Sequence, residues 1–196
     1  ASNVSERTDL NVKEIKASAF ENNTGLISLE ITTKEIGDSA FRNCTSLTNV
    51  ILNNVEKVGN YAFIGCNQVE SIESETIKYI GSYAFADMKK LSNITLNNVV
   101  EIGSYAFSTT TNESGNSLSN VVFGNTLEKV GEYAFYLSQN LVNVELGSGI
   151  KEIGSYAFSS CSSLESFKTL ANIETIEEAT FLESVSLQIV DIPGIK

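Results

Sequence analysis

This sequence has no histidine and no tryptophan, and only one proline and one methionine in 196 residues. Without histidine there is no imidazole base, no serine–histidine or cysteine–histidine dyad and no imidazole metal ligand. No run of about eighteen apolar residues occurs, so this segment holds no membrane-spanning helix. Positive charge is scarce. Thirteen Lys and Arg stand against 24 Asp and Glu, for a net charge of −11 and a pI near 4.5. Such a surface argues against nucleic acid and anionic membranes and favours neutral or basic partners. Three cysteines, an odd number, do not make a disulfide framework. What remains is globular composition, 42% hydrophobic and 19% charged. The length suffices for one domain or one continuous array.

The dominant signal is internal repetition. Ala-Phe recurs with Phe at 20, 41, 63, 85, 107, 135 and 158, and Thr180-Phe181 is a degenerate eighth copy. Successive spacings are 21, 22, 22, 22, 28, 23 and 23. Five residues before each Phe stands Ile or Val (Ile15, Ile36, Val58, Ile80, Ile102, Val130, Ile153, Ile176), followed by Gly in six copies. After each Phe comes a branched apolar residue (Leu26, Leu47, Val69, Leu91, Leu118, Leu141, Leu164, Leu187).

Within a unit, stretches such as Leu91–Leu96 end in period-two alternation, the mark of a short strand. Asn97-Asn98, or Gly147-Ser148-Gly149 in a later unit, then supplies a corner. A small polar residue after Ile-Gly (Asp38, Asn60, Ser82, Ser104, Ser155) is placed as a helix N-cap, and Ala40, Cys44 and Leu47 share a helical face. Each unit therefore reads as a strand, a turn, a short extended piece and a short helix. One such unit cannot close a core, but stacked units can. The expected fold class is α/β. It is a curved right-handed solenoid with a parallel concave β-sheet and short helices or turns on the convex side. The expected organisation is a single domain over 1–196, with a polar cap or tail over 1–9, a loop insertion over 108–117 and an unfinished last unit over 189–196. The unfinished unit implies that more protein lies beyond at least one end.

The pattern resembles the BspA-like leucine-rich repeats of bacterial and protist surface proteins. The resemblance is carried by Ile80-Gly81-Ser82-Tyr83-Ala84-Phe85, by Ile153-Gly154-Ser155-Tyr156-Ala157-Phe158-Ser159-Ser160-Cys161-Ser162-Ser163-Leu164, and by their sister copies. It covers roughly residues 10–195 and departs from the pattern at Ile176-Glu177-Glu178-Ala179-Thr180-Phe181. The resemblance implies export, display at the cell surface or secretion, and adhesin-like binding.

Alternation along the strands defines two outward ladders. One runs Ser28, Asn49, Ser71, Asn93, Asn120, Asn143, Ser166, Ile189, and the other Glu30, Ile51, Glu73, Thr95, Val122, Glu145, Lys168, Asp191. The candidate ligand-binding set is the central part of both: Asn49, Ile51, Ser71, Glu73, Asn93, Thr95, Asn120, Val122, Asn143 and Glu145. A plain solvated sheet surface is the other reading of these positions. Tyr61, Tyr83, Tyr105, Tyr133 and Tyr156 occupy one repeat position and form a second candidate, an aromatic strip for a protein or glycan, although repeat packing is the favoured reading of them. Cys44, Cys66 and Cys161 share a slot that reads as buried free thiols. Charges before Ile-Gly would pair between coils as Lys34–Glu56, Glu35–Lys57, Glu128–Lys151 and Lys129–Glu152, which controls register.

The functional expectation is a non-catalytic recognition module, with an architectural spacer as the alternative. The partner would be a protein (host matrix or another surface protein) or a glycan, with no nucleic acid and no membrane insertion by this segment. No catalytic residue, cofactor or metal site is expected.

Overall fold

The computed structural model describes residues 7–110 and 115–193. In chain order the strands are β1 (Arg7–Leu10), β2 (Ser28–Ile31), β3 (Glu35–Ile36), β4 (Asn49–Leu52), β5 (Lys57–Val58), β6 (Ser71–Ser74), β7 (Tyr79–Ile80), β8 (Asn93–Leu96), β9 (Glu101–Ile102), β10 (Asn120–Phe123), β11 (Lys129–Val130), β12 (Asn143–Leu146), β13 (Glu152–Ile153), β14 (Ser166–Thr169) and β15 (Ile189–Asp191). All pairing is parallel between equivalent positions of successive coils, as in Ser28↔Asn49 and Asn120↔Asn143. The longer strands build one wall in three hydrogen-bonded runs, β1-β2-β4, β6-β8 and β10-β12-β14-β15. The two-residue strands build a second wall in the order β13-β11-β9-β7-β5-β3. The chain is a parallel-strand solenoid.

The third wall corrects the α/β expectation. Among the described residues there is no helix. Each Gly-x-Tyr-Ala-Phe segment is instead a run of turns. Residues on either side of Ala-Phe are left-handed, as at Ser39 (φ 55°) and Asn43 (φ 56°). A right-handed helix cannot pass through such residues. The carbonyls also have other partners. Ala40 O accepts from Phe20 N at 2.7 Å and Arg42 O from Asn22 N at 2.7 Å, both amides of the preceding coil. Intervening amides close three-residue turns, as Ala40 N does on Gly37 O at 3.2 Å. The residues expected as N-caps bond across coils instead: Asp38 Oδ1 accepts from Asn60 N at 2.7 Å and Asn60 Oδ1 from Ser82 N at 2.8 Å. Ala40, Cys44 and Leu47 do point inward together, but on a turn wall.

Inside the three walls one apolar core runs from Ile15 to Ile192. Its axis is a phenylalanine column. Rings of Phe20, Phe41, Phe63, Phe85, Phe107, Phe135, Phe158 and Phe181 stack in file, with centroids 5.1–6.0 Å apart and planes within 19°. That spacing slightly exceeds the ~4.8 Å between strands, so one flat ring per coil fills the column. The glycines after Ile or Val serve the same stacking. A Cβ on Gly81 would lie 2.7 Å from Gly59 C, and one on Gly103 2.7 Å from Gly81 C. The first copy carries Lys16 at this position. The eighth carries Glu177, and there the short-strand wall stops at β13.

Residues 1–6 of the expected cap, 111–114 of the insertion and 194–196 of the last unit lie outside the described residues. The stems of the insertion are built into the coil. Thr110 binds the Asp87 carboxylate through N (2.7 Å) and Oγ1 (2.6 Å), and buried Asn116 donates to Phe107 O (2.8 Å) and Ser138 Oγ (3.0 Å).

Two stability outcomes are expected in urea unfolding. Phe107→Ala, in mid-column, should cost about 3–5 kcal/mol, and Phe20→Ala, at the less buried end, clearly less. Gly81→Ala should destabilise although alanine is the better backbone former, because its methyl group meets backbone. An unchanged midpoint would refute the close-approach argument.

Candidate functional site

The long-strand wall carries the candidate binding residues, and the ladder registers agree with alternation. Asn49, Asn93, Asn120 and Glu73, Thr95, Val122, Glu145 are exposed, while Ser71, Ile51 and Asn143 are half-buried. Ser28 and Ser166, expected outward, are buried. Some rungs bond sideways: Asn49 Nδ2 donates to Ser28 Oγ (3.1 Å) and Asn143 Nδ2 to Asn120 Oδ1 (2.9 Å). The second ladder begins one coil earlier than alternation suggested, because Asp9 of β1 pairs in register with Glu30. Its rungs are acidic at Asp9, Glu30, Glu73, Glu145 and Asp191, apolar at Ile51 and Val122, and Thr95 and Lys168 complete it. Ladder bonding lapses between β4 and β6 and again between β8 and β10. At the β4–β6 seam lies an open groove of about 450 Å³, lined by Asn49, Ile51, Asn53, Ser71, Glu73 and Thr95 among others. A second, of about 290 Å³, lies between Val122, Glu145, Lys168 and Leu170. Val122 is 60% exposed and Leu170 71%. Leu170 had no place in either ladder, since it follows β14 at a corner; its apolar side chain was the available signal.

The tyrosines stand on the turn wall. Tyr61, Tyr83, Tyr105, Tyr133 and Tyr156 stack with centroids 4.6–4.9 Å apart and planes within 9°. Each sits at φ 55–59°, a costly backbone state for a bulky residue. Coil-to-coil bonds from their amides offset it, as from Tyr83 N to Ser104 O at 2.9 Å. Of these five only Tyr61 is exposed, at 39%, and the others are half-buried. Inside the strip, burial and the neighbouring phenol hold the Tyr83 hydroxyl above the usual phenol range. The ring faces are therefore covered by one another. The edges and hydroxyls form the outer surface.

The remaining reactive groups are committed to structure. The thiols of Cys44, Cys66 and Cys161 are free and buried, and donate to the carbonyls of Phe20 (3.3 Å), Phe41 (3.2 Å) and Phe135 (3.3 Å). Ser184 Oγ does the same to Phe158 O at 2.7 Å. In these four coils a small donor fills the slot, which lets Cys and Ser interchange there, while Met88 fills it by packing alone. Burial pushes the Cys161 thiol up to about 12. Cys66 is driven far up by its hydrogen bond to Cys44 and by burial. Among the described residues no group of three or more Cys, Asp or Glu is placed to hold a metal ion.

Three of the four expected ion pairs form: Lys34–Glu56, Lys129–Glu152 (3.1 Å) and Lys151–Glu128 (2.8 Å). Glu35 and Lys57 are register partners but make no ion pair among the described residues. Lys78, whose neighbour Tyr79 breaks the charge pattern, adds a second lysine to Glu56 at 2.8 Å.

The BspA type leucine rich repeat region matches residues 13–116 and 113–195 in six copies. The fold is similar to that of three solved bacterial proteins. One is a leucine rich cell surface protein from Faecalibacterium prausnitzii A2-165 (TM-score 0.52, 20% identity, covering 95% of this chain and 66% of that one). Another is the T. pallidum leucine rich repeat protein TpLRR (TM-score 0.62, 23% identity, 93% and 78%). The third is the pneumococcal vaccine antigen PcpA (TM-score 0.59, 19% identity, 94% and 56%). This chain spans just under two thirds of the first protein and little more than half of the third. At these identities the likeness is one of fold. No curated protein matches the sequence.

One pH dependence follows from the ion pairs. Its hydrogen bonds to Lys34 and Lys78 and their charge lower the Glu56 carboxyl from 4.5 to about 2. The folded state therefore binds this proton less readily than the unfolded chain. The stabilisation is complete above pH 4.5 and is lost as pH falls towards 2. Glu56→Gln should lower the urea midpoint modestly at neutral pH, and the gap from the parent should close across that acid window. A gap independent of pH would show that the lysines do not act through the Glu56 charge.

Proposed function

Because this chain belongs to the BspA-type leucine-rich-repeat family, we propose that it is a non-catalytic recognition module that binds a protein across its long-strand wall. The observation that carries this reading is the outward ladder over β4, β6, β8, β10 and β12. Its exposed side chains include Glu73, Thr95, Val122 and Glu145, which do no work for the core. A wall of this kind offers a partner one residue per coil, and its small Asn and Ser rungs leave room for an extended contact. Family membership and the cell surface protein from Faecalibacterium prausnitzii support display outside the cell. An adhesin-like role towards host matrix or other surface proteins accords with that setting.

A glycan is the weaker partner. A sugar packs on a ring face, and the tyrosine stack covers its own faces except at its two ends. No helix among the described residues is long and apolar enough to cross a membrane. The absence of histidine from the sequence and the deep burial of the thiols support a non-enzymatic role.

The experiment is capture of immobilised matrix proteins and a glycan panel by the parent chain and two variants. Thr95→Trp with Val122→Trp puts bulk at the centre of the wall. Glu35→Gln alters the short-strand side. The tryptophan pair should reduce capture about tenfold or more, equivalent to roughly 1.4 kcal/mol, with an unchanged urea midpoint; Glu35→Gln should leave capture intact. Capture insensitive to both tryptophans would overturn the wall as the binding face. No capture of any probe by the parent chain would favour a spacer.

A further inference from the structure

On the short-strand side four lysines pair with Glu56, Glu128 and Glu152, while Glu35 and Glu101 make no ion pair among the described residues. On the long-strand wall the second outward ladder, counted from Asp9, carries five carboxylates and a single lysine, Lys168. Glu73 is exposed and makes no hydrogen bond or ion pair with a neighbour among the described residues. It stands in the groove at the β4–β6 seam with Ile51 on the adjacent coil and Glu75 nearby, and no cation lines that groove. An apolar wall beside unneutralised carboxylates suits a long cationic side chain. The stem lies on the apolar part and the head reaches the carboxylate.

We propose that the groove at Ile51 and Glu73 takes a lysine or arginine side chain from an extended basic segment of a protein partner. The inference rests on the long-strand wall being the recognition face and adds the chemistry of what binds there. The complementarity is electrostatic: the chain's net charge is −11, and no cation lines the groove that holds Glu73 and Glu75. Complementary fields of this kind speed encounter and select partners by sign. Lys168 bounds the site. It stands four coils beyond Glu73, roughly 19 Å at the strand spacing. There it repels a further basic side chain of the same segment.

The test uses fluorescein-labelled decapeptides, one alternating Lys and Val and one alternating Glu and Val, followed by fluorescence anisotropy with the intact chain at low and at physiological salt. The Lys–Val peptide should bind and weaken with salt, and the Glu–Val peptide should not bind. Glu73→Gln should raise the Kd by about two- to fivefold, the range of an exposed ion pair. Glu73→Lys should raise it further, Lys168→Glu should lower it, and Glu35→Gln should leave it unchanged. These exposed positions have no neighbour to lose, so unchanged thermal unfolding is expected throughout. Equal binding of the two peptides, no binding of the Lys–Val peptide, or a Kd indifferent to Glu73→Lys would overturn the proposal. If the tryptophan pair abolishes protein capture while Glu73→Lys leaves the Lys–Val peptide unmoved, the recognition wall stands and the basic partner falls. If neither responds, both fall.

Discussion

Everything in this molecule depends on one repeat distance being satisfied by three walls and a core together. Parallel strands set the step at ~4.8 Å. The phenylalanine column accepts it because flat rings stack at 5.1–6.0 Å. The tyrosine strip accepts it at 4.6–4.9 Å. The short-strand corner accepts it only where glycine lets backbone touch backbone. A coil of about 22 residues buries too little by itself, so each coil draws its stability from the next. Where the compatibility ends, at Glu177, the short-strand wall ends as well.

The same constraint shapes the surface. Equivalent residues of successive coils lie side by side, so the surface is written one residue per coil. Charge is then arranged coil by coil, with lysine–glutamate pairs beside the short strands and Glu73 in a groove that no cation lines on the long-strand wall. Interior polar groups obey the same logic. In four coils the slot three residues after phenylalanine holds a cysteine or serine that donates to a carbonyl of the preceding coil.

Much of this was legible in sequence order because stacking converts spacing into contact. The registers of Ser28 with Asn49 and of Glu145 with Lys168, the phenylalanine file and the Lys34–Glu56, Lys129–Glu152 and Lys151–Glu128 pairs all follow from aligning the copies. The helix did not follow. Ala40, Cys44 and Leu47 have helical spacing, yet tight turns with left-handed residues at Ser39 and Asn43 bring the same three side chains inward. Tyrosine gives no local sign of a left-handed backbone. The state is imposed by amides bonding to the adjacent coil. Nor did matched charges ensure a bond: Glu35 and Lys57 are register partners without an ion pair.

The sequence by itself determined that the chain is a stack of coils, which residues pile on which, and which face inward, because identical units in contact must meet at identical positions. Only the tertiary structure decided that the third wall is built of turns, that the tyrosine faces are closed by one another, and that the long-strand wall opens into a groove at β4–β6. Each of these depends on where a backbone carbonyl finds its partner, in its own coil or in the next. Residue type leaves that choice open, and three-dimensional packing resolves it.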